Sequence, residues 1–253
     1  MKTVLMLPIL LLSGDILLAQ QSSKLVTSGT IEYEKTVNMY AVIKSDMDDN
    51  NSIGKMVFEQ YQKNNPQFKK LKSTMVFSDN KSLHTPAITE GSAKLGDEYV
   101  GQINTTFTDV VGHTNIIQKN IYGENFLVKD SLRKIKWKIT DETREIAGYS
   151  CRRANGLVMD SVYVVAFYTS KIPVAGGPET FNGLPGMILG VALPHENMTW
   201  FATKVSDGVI PATTLAPPKK GKVVSRKQLH DQLKGVMKNW GKTGPYELKV
   251  FML

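Results

Sequence analysis

Histidine and cysteine supply most catalytic metal ligands and many nucleophiles, and this chain has few of them. It contains four histidines and one cysteine, namely His84, His113, His195, His230 and Cys151. Their spacing matches neither the HExxH nor the CxxC pattern of zinc sites, and the chain has no Gly-x-Ser-x-Gly elbow of a serine hydrolase. Local motifs therefore predict no metal, no cofactor and no assembled catalytic site.

One pair of residues remains chemically interesting, because His195 is followed directly by Glu196. A site could form there if the fold brought His113 or Asp160 close. A histidine and a glutamate placed between a proline and an asparagine are more typical of a turn. A hydrolase or metal-dependent enzyme whose site forms only in three dimensions stays as the alternative to a binding protein.

Cys151 is the only cysteine, so an intramolecular disulfide is excluded. Strand alternation places it on one face together with Tyr149 and Arg153, which favours a small buried hydrophobic residue. If the thiol were exposed, the neighbouring arginines could lower its pKa and make it reactive. We expect it to be buried and inert.

Residues 172–189 form a long segment rich in proline and glycine, with apolar side chains at Leu184, Met187 and Ile188. Proline fixes the backbone and glycine permits angles that other residues avoid, so the segment should be a rigid loop. It could be a recognition loop for a peptide, a lipid or a receptor, or a plug that seals a curved sheet. We favour the plug, because such apolar side chains usually reach the core. Exposure of Leu184 and Met187 would favour recognition.

Residues 137–154 and 172–189 together resemble the GLPGLI family of exported Bacteroidetes proteins. The naming hexapeptide reads GLPGMI here, with Met187 in place of leucine, a change that conserves volume. The resemblance implies an envelope protein whose partner is an outer-membrane TonB-dependent receptor or a hydrophobic or peptide ligand. Within the two segments, the candidate ligand or partner contacts are Pro178, Phe181, Leu184, Pro185, Met187, Trp137 and Tyr149.

The N-terminus has the three regions of a secretory signal peptide: a charge at Lys2, an apolar run over residues 4–12, and a small-residue exit at Ala19. We predict that residues 1–19 are the signal peptide and that cleavage follows Ala19. The apolar run is interrupted at Asp15 and is shorter than the roughly 20 residues of a spanning helix. We therefore expect a periplasmic or otherwise exported protein without a transmembrane segment.

The chain is basic, with 31 lysines and arginines against 23 acidic residues and a net charge of +8. Outside the cytoplasm nucleic acid is an improbable partner, which leaves anionic lipid, lipopolysaccharide or an acidic protein surface. Basic residues that are dispersed over the surface and only aid solubility would give the same net charge.

Alternating β-branched and aromatic residues predict a first strand over residues 27–40, with Ile31, Tyr33 and Lys35 on one face. A helix is predicted from Ser52 to about Asn64, with its apolar stripe facing a sheet. Short alternating runs then follow one another without helices between them, which indicates an antiparallel sheet.

Near the C-terminus, Ser225 and Gln228 have the spacing of a capping box. They begin an amphipathic helix that runs to about Trp240. Its opposite face is basic, which we interpret as a solvated surface rather than a membrane contact. Residues 246–253 alternate again and suggest a closing edge strand.

The fold class predicted from these elements is mainly β. We expect a single curved antiparallel sheet or partial β-barrel, with one N-terminal and one C-terminal helix packed on it, and residues 20–253 as one domain. The predicted function is that of a non-enzymatic extracytoplasmic binding or accessory protein.

Overall fold

The structure is a computed structural model that describes residues 25–46, 52–87, 104–241 and 243–253. The predicted signal peptide and the predicted cleavage site lie outside these residues. The described strands are β1 (Ser28–Asn38), β2 (Phe68–Ser78), β3 (Lys81–Pro86), β4 (Thr105–Asp109), β5 (Thr114–Ile121), β6 (Glu124–Ser131), β7 (Lys138–Ile146), β8 (Tyr149–Val158), β9 (Val162–Thr169), β10 (Met187–Leu193), β11 (Met198–Asp207) and β12 (Lys222–Val224).

All twelve strands belong to one open, curved sheet, in the order β12-β6-β5-β4-β3-β2-β1-β11-β10-β9-β8-β7. The mainly β architecture predicted from the sequence is confirmed. Neighbouring strands are antiparallel except that β12 runs parallel to β6, so the sheet is mixed. The three residues of β12 show too short a pattern for their direction to be read from the sequence.

The sheet bends at irregular positions in its ladder. The register shifts at Glu32/Tyr33 in the pairing of β1 with β11, and at Ile188/Gly190 in the pairing of β10 with β9. A third shift occurs in β7 where it pairs with β8. Because an extra residue in one strand bends it and increases its twist, these shifts contribute to the curvature.

Four helices accompany the sheet in the described residues: α1 (Met39–Asp46), α2 (Ser52–Asn64), α3 (Arg226–Val236) and α4 (Thr243–Met252). None of them is long and apolar enough to cross a membrane. The bounds of α2 agree with the predicted helix, but of its predicted apolar stripe only Tyr61 is buried in the core. Ile53 and Met56 are 67% and 64% exposed, because α2 packs against Tyr40 of α1 through Phe58 and Tyr61.

The predicted C-terminal edge strand is wrong, since residues 243–252 form α4. The physical reason is a helical spacing of buried side chains: Glu247, Val250 and Phe251 lie on the same face of α4 and all are buried. The preceding helix α3 begins with the predicted capping box at Ser225. Leu229 and Leu233 of α3 share a hydrophobic cluster with Phe251 of α4 and with the side chains of β5 and β6.

Strand β9 is buried on both sides. Val164 and Ala166 join one hydrophobic cluster, while Val165 and Phe167 join a second one. The segment between β9 and β10, residues 170–186, contributes to both clusters. Phe181 lies in the first cluster and Ile172 lies in the second. This segment, which we call the plug, therefore forms much of the core around β9 and β10.

We predict that Gly186, in the plug, does not tolerate a side chain. Its φ is +145°, and a Cβ atom there would lie 2.2 Å from the main-chain oxygen of Thr169. Gly186→Ala should lower the free energy of unfolding by on the order of 2 kcal/mol or more, because it adds backbone strain to a main-chain clash. Chemical denaturation measures this loss. Gly208→Ala is the matched control, since no atom lies within 4 Å of its Cβ position; equal midpoints for the two variants would contradict the prediction.

Candidate ligand-binding groove

The structure places several of the predicted contact residues in the core. Leu184 is 1% exposed and Met187 is fully buried. Exposure of these two side chains would have favoured a recognition loop, and the structure shows the opposite. Phe181 and Pro178 are also buried, whereas Pro185 is exposed. This burial favours the plug interpretation. Contact of these residues with a ligand stays a prediction.

The two aromatic candidates outside the plug are half-buried and lie apart. Trp137 donates a hydrogen bond from Nε1 to the carbonyl oxygen of Asn182 (2.9 Å), and its ring packs over Gly156 of β8. It shares the first cluster with Phe181 and Leu184. Tyr149 and Met187 belong to the second cluster, so the seven candidates do not form one surface.

A polar cluster that the sequence did not reveal lies around Glu179 of the plug. Glu179 is 8% exposed, has a positive φ of 52°, and accepts a hydrogen bond from Asn104 (3.1 Å). Burial lowers the pKa of Lys35, and the Glu179 carboxylate partly offsets that effect. Burial likewise lowers the pKa of His84. The signal available in the sequence was the lysine at position 35, on the face of β1 that carries Ile31 and Tyr33.

The cavity beside this cluster is small, at about 20 Å³. Lys35 and Glu179 line it together with Trp200, whose ring centroid lies 4.9 Å from Lys35 Nζ. Such a volume holds about one water molecule. The cluster can therefore fix the plug to β1, but it has no room for a substrate.

The adjacent residues His195 and Glu196 have different surroundings. His195 is exposed, in a 3-10 turn beside Tyr163, whereas Glu196 turns inward and pairs with Lys249 at 2.7 Å. Cys151 is fully buried, and burial raises its pKa to about 12. Within the described ranges, no group of three or more His, Cys, Asp or Glu residues could hold a metal ion.

A much larger cavity of about 670 Å³ is lined by other residues of α4 and by α3. This groove lies between α3, α4, the end of β6 and the turn that joins β8 to β9. Its volume is in the range of small-molecule sites. Its apolar wall consists of Met159, Pro245, Leu248 and Met252. Its polar residues are Asp130, Ser161, Arg226, Lys227, His230 and Lys249.

Specific hydrogen bonds fix α3 at one side of the groove. Ser225 Oγ accepts the main-chain N–H of Gln228 (3.2 Å), and the Gln228 side chain accepts the N–H of Ser225 (2.8 Å). Asp130 Oδ2 of β6 accepts the N–H of Arg226 (2.9 Å). The start of α3 is thus joined to the end of β6.

Buried cations hold the C-terminal end of α4. Lys119 Nζ donates to the carbonyl oxygen of Phe251 (3.0 Å), and Arg133 donates to that of Met252 (2.6 Å). Burial lowers the pKa of Lys119 to about 8 and that of Arg133 to about 10. Because cations bound to the last carbonyl groups stabilise a helix C-terminus, these contacts position the groove residue Met252.

Local sequence patterns do not reveal the groove, because its walls come from four separated parts of the chain. The only local signal was the amphipathic pattern of α3, whose basic face includes Arg226 and Lys227. The residues opposite, Met159 and Leu248, come into the groove only through the packing of a turn and a helix that the sequence did not predict.

Comparison with known proteins gives a partial family match. A family model described as "Protein of unknown function (Porph_ging)" matches residues 156–190. This range includes the end of β8, all of β9, the plug and the start of β10. The match fits a Bacteroidetes-associated family and covers only this part of the chain. No curated protein matches the sequence.

Among solved structures, the chain is similar to two crystal forms of PNGF-II. The C2 form has a TM-score of 0.51 at 15% identity, with 81% of this chain and 32% of that chain covered. The P21 form has a TM-score of 0.50 at 16% identity, with 81% and 33% covered. This chain spans about a third of the length of those proteins. At such identities the likeness shows the fold alone.

Cys151 should react slowly while the protein is folded. At pH 8 we expect iodoacetamide to modify it on the order of a thousandfold more slowly than in the unfolded chain, because the raised pKa removes the thiolate. Mass spectrometry over time measures the rate, and the protein in guanidinium chloride is the control. Equal rates would contradict the burial of this thiol.

The same pKa shift predicts how stability changes with pH. The folded thiol has a pKa near 12 against an ordinary value of 9.0, so the folded state keeps a proton that the unfolded state loses. The resulting stabilisation is fully present below about pH 9 and is lost as the pH rises toward 12. In denaturation curves, the free energy of unfolding of Cys151→Ala should therefore fall less over this pH range than that of the wild type.

Proposed function

We propose that this protein is a non-enzymatic extracytoplasmic binding protein that holds a hydrophobic ligand in the groove. The observation that carries this proposal is the groove itself, with about 670 Å³ of space and an apolar wall formed by two elements. Cavities of this size with a few polar groups at one side are the usual form of small-molecule sites.

The polar groups of the groove support binding rather than catalysis. Ser161 and His230 both line it, but the Ser161 hydroxyl donates to the carbonyl oxygen of Met159 (3.2 Å). His230 Nδ1 lies 3.3 Å from the carboxylate of its neighbour Asp231. A nucleophile needs a base within hydrogen-bond distance, and these contacts direct each group elsewhere.

A preformed site suits a carrier or accessory role. The plug is held by main-chain hydrogen bonds, including Met187 N–H to Ile172 O (2.9 Å) and Ile188 N–H to Gly176 O (2.9 Å). The Tyr33 hydroxyl adds a bond to the carbonyl oxygen of Ile188 (2.7 Å). The plug in turn reaches the end of α4, where Thr180 Oγ1 donates to the carbonyl oxygen of Leu253 (3.1 Å). It therefore helps to keep one wall of the groove in place at little entropic cost.

We also propose that the chain is a member of the GLPGLI family, that it is exported, and that it acts in the periplasm. The resemblance of residues 137–154 and 172–189, the family match over residues 156–190 and the signal-peptide pattern of residues 1–19 support this. An outer-membrane TonB-dependent receptor is the partner that the resemblance implies. Among the candidate contacts, Pro185 is exposed and available for one.

Export has a direct test. Expression of the full chain in a Gram-negative host should give an extracytoplasmic protein whose N-terminus is Gln20, as determined by mass spectrometry of the intact product. Leu10→Arg, which places a charge in the apolar run, should leave the full-length chain in the cytoplasm. A wild-type protein that stays uncleaved in the cytoplasm would refute this part of the proposal.

Ligand binding can be tested with the neutral fluorescent probe N-phenyl-1-naphthylamine. The wild-type protein should bind it with a blue-shifted emission, and Ser161→Trp should weaken binding by about tenfold or more because the new ring fills the groove. Ser150→Trp is the matched control, since Ser150 is also exposed but does not line the groove. Equal binding by both variants, or no binding by the wild type, would refute the groove as the site.

A further inference from the structure

The charges of the groove point to a more specific ligand. We infer that it binds a single-chain amphiphile with an anionic headgroup, such as a fatty carboxylate, with the headgroup beside Arg226, Lys227 and His230 and the chain along the apolar wall. This inference rests on the proposed function, because it names the chemical class that the same groove would hold.

The basic side chains of the groove are concentrated on one element. Arg226, Lys227 and His230 all come from the first two turns of α3. A fourth, Lys249, comes from α4, but it pairs with the buried Glu196 at 2.7 Å and lies over the ring of Tyr246. The cationic corner is therefore the start of α3, and a ligand would meet it at one end.

Among the described residues that line the groove, Asp130 is the only one with a carboxylate, and this carboxylate accepts hydrogen bonds from main-chain groups. Its Oδ2 atom accepts the N–H of Arg226 (2.9 Å), and its Oδ1 atom accepts the N–H of Ser131 (2.8 Å). Burial alone would raise the pKa of Asp130, but these hydrogen bonds outweigh it and lower the pKa. Asp130 thus holds α3 in place, and its ionised carboxylate offsets part of the charge of Arg226. The groove is nevertheless lined by more basic than acidic side chains.

The cations at this corner keep donors for a ligand. One guanidinium nitrogen of Arg226 donates to the carbonyl oxygen of Ser131 (3.1 Å), which leaves others of its five N–H groups for an anion. Lys227 pairs with Asp231 at 2.6 Å, and both side chains are more than half exposed. Such surface pairs are weak, so a bound anion can replace the carboxylate. Arginine in particular matches the planar carboxylate group.

The apolar residues of the groove suit an alkyl chain. Met159 from the β8–β9 turn and Leu248 and Met252 from α4 face the groove together with Pro245. Methionine side chains are flexible and polarizable, and they adapt to chains of different shape. Basic side chains on α3, together with apolar side chains on α4 and the β8–β9 turn, match a molecule with one anionic group and one tail.

The test is competition against bound N-phenyl-1-naphthylamine by three ten-carbon compounds below their micellar concentrations: decanoate, decanol and decyltrimethylammonium. The compounds share the chain and differ in headgroup charge. We expect decanoate to displace the probe at about tenfold lower concentration than decanol, because its headgroup gains charge-assisted hydrogen bonds. Decyltrimethylammonium should be the weakest competitor.

Variants locate the headgroup. Arg226→Gln and, separately, Lys227→Gln should reduce the preference for decanoate over decanol, measured as the ratio of the two concentrations that displace half of the probe. Lys234→Gln is the matched control, because it removes the same charge from an exposed position of α3 that does not line the groove. A preference for decanoate that persists in both groove variants would overturn the assignment of the headgroup to this corner.

The remaining outcomes separate the two proposals. Equal displacement by the three compounds would overturn the anionic headgroup and leave the groove as a hydrophobic site. A protein that binds the probe but releases it to none of the compounds would overturn a single-chain ligand. Failure of the wild type to bind the probe would refute the proposed function itself, together with this inference.

Discussion

The constraint on which the rest of the structure depends is the burial of the plug, the segment that joins β9 to β10. An open, curved sheet has to cover apolar side chains on both of its sides, and β9 contributes buried residues to two clusters. The plug supplies Phe181 and Leu184 to one cluster and Ile172 and Val174 to the other. Its glycines allow the close approach to neighbouring main chain that this filling requires.

The plug also connects the core to the groove. Thr180 Oγ1 donates to the carbonyl oxygen of Leu253 (3.1 Å), directly after α4. Lys119 of β5 donates to the carbonyl oxygen of Phe251, and Arg133, which follows β6, donates to that of Met252. Consequently, one face of the groove is positioned by the same loop that fills the core. A buried charge at Glu179 is tolerated because Asn104 and nearby cations compensate it.

Much of the fold could be predicted from periodicity. The face of β1 with Ile31, the bounds of α2 and the capping box at Ser225 follow from local patterns, and the structure agrees with them. The errors arise where packing decides. The eight residues before the C-terminus satisfy a short strand pattern and a helical one equally well, and the contacts of Phe251 with α3 and the sheet select the helix. The exposure of Ile53 also depends on tertiary packing, because α2 packs on α1.

The sequence by itself determined the fold class, the lack of a second cysteine for an intramolecular disulfide, and the excess of positive charge. Each is a matter of composition or of spacing within a few residues. Only the tertiary structure decided that Leu184 and Met187 fill the core and that Arg226, Met159 and Leu248 line one groove. The physical reason is that a loop's apolar residues and a helix's charges acquire a role only from what they face, and here those neighbours come from distant parts of the chain.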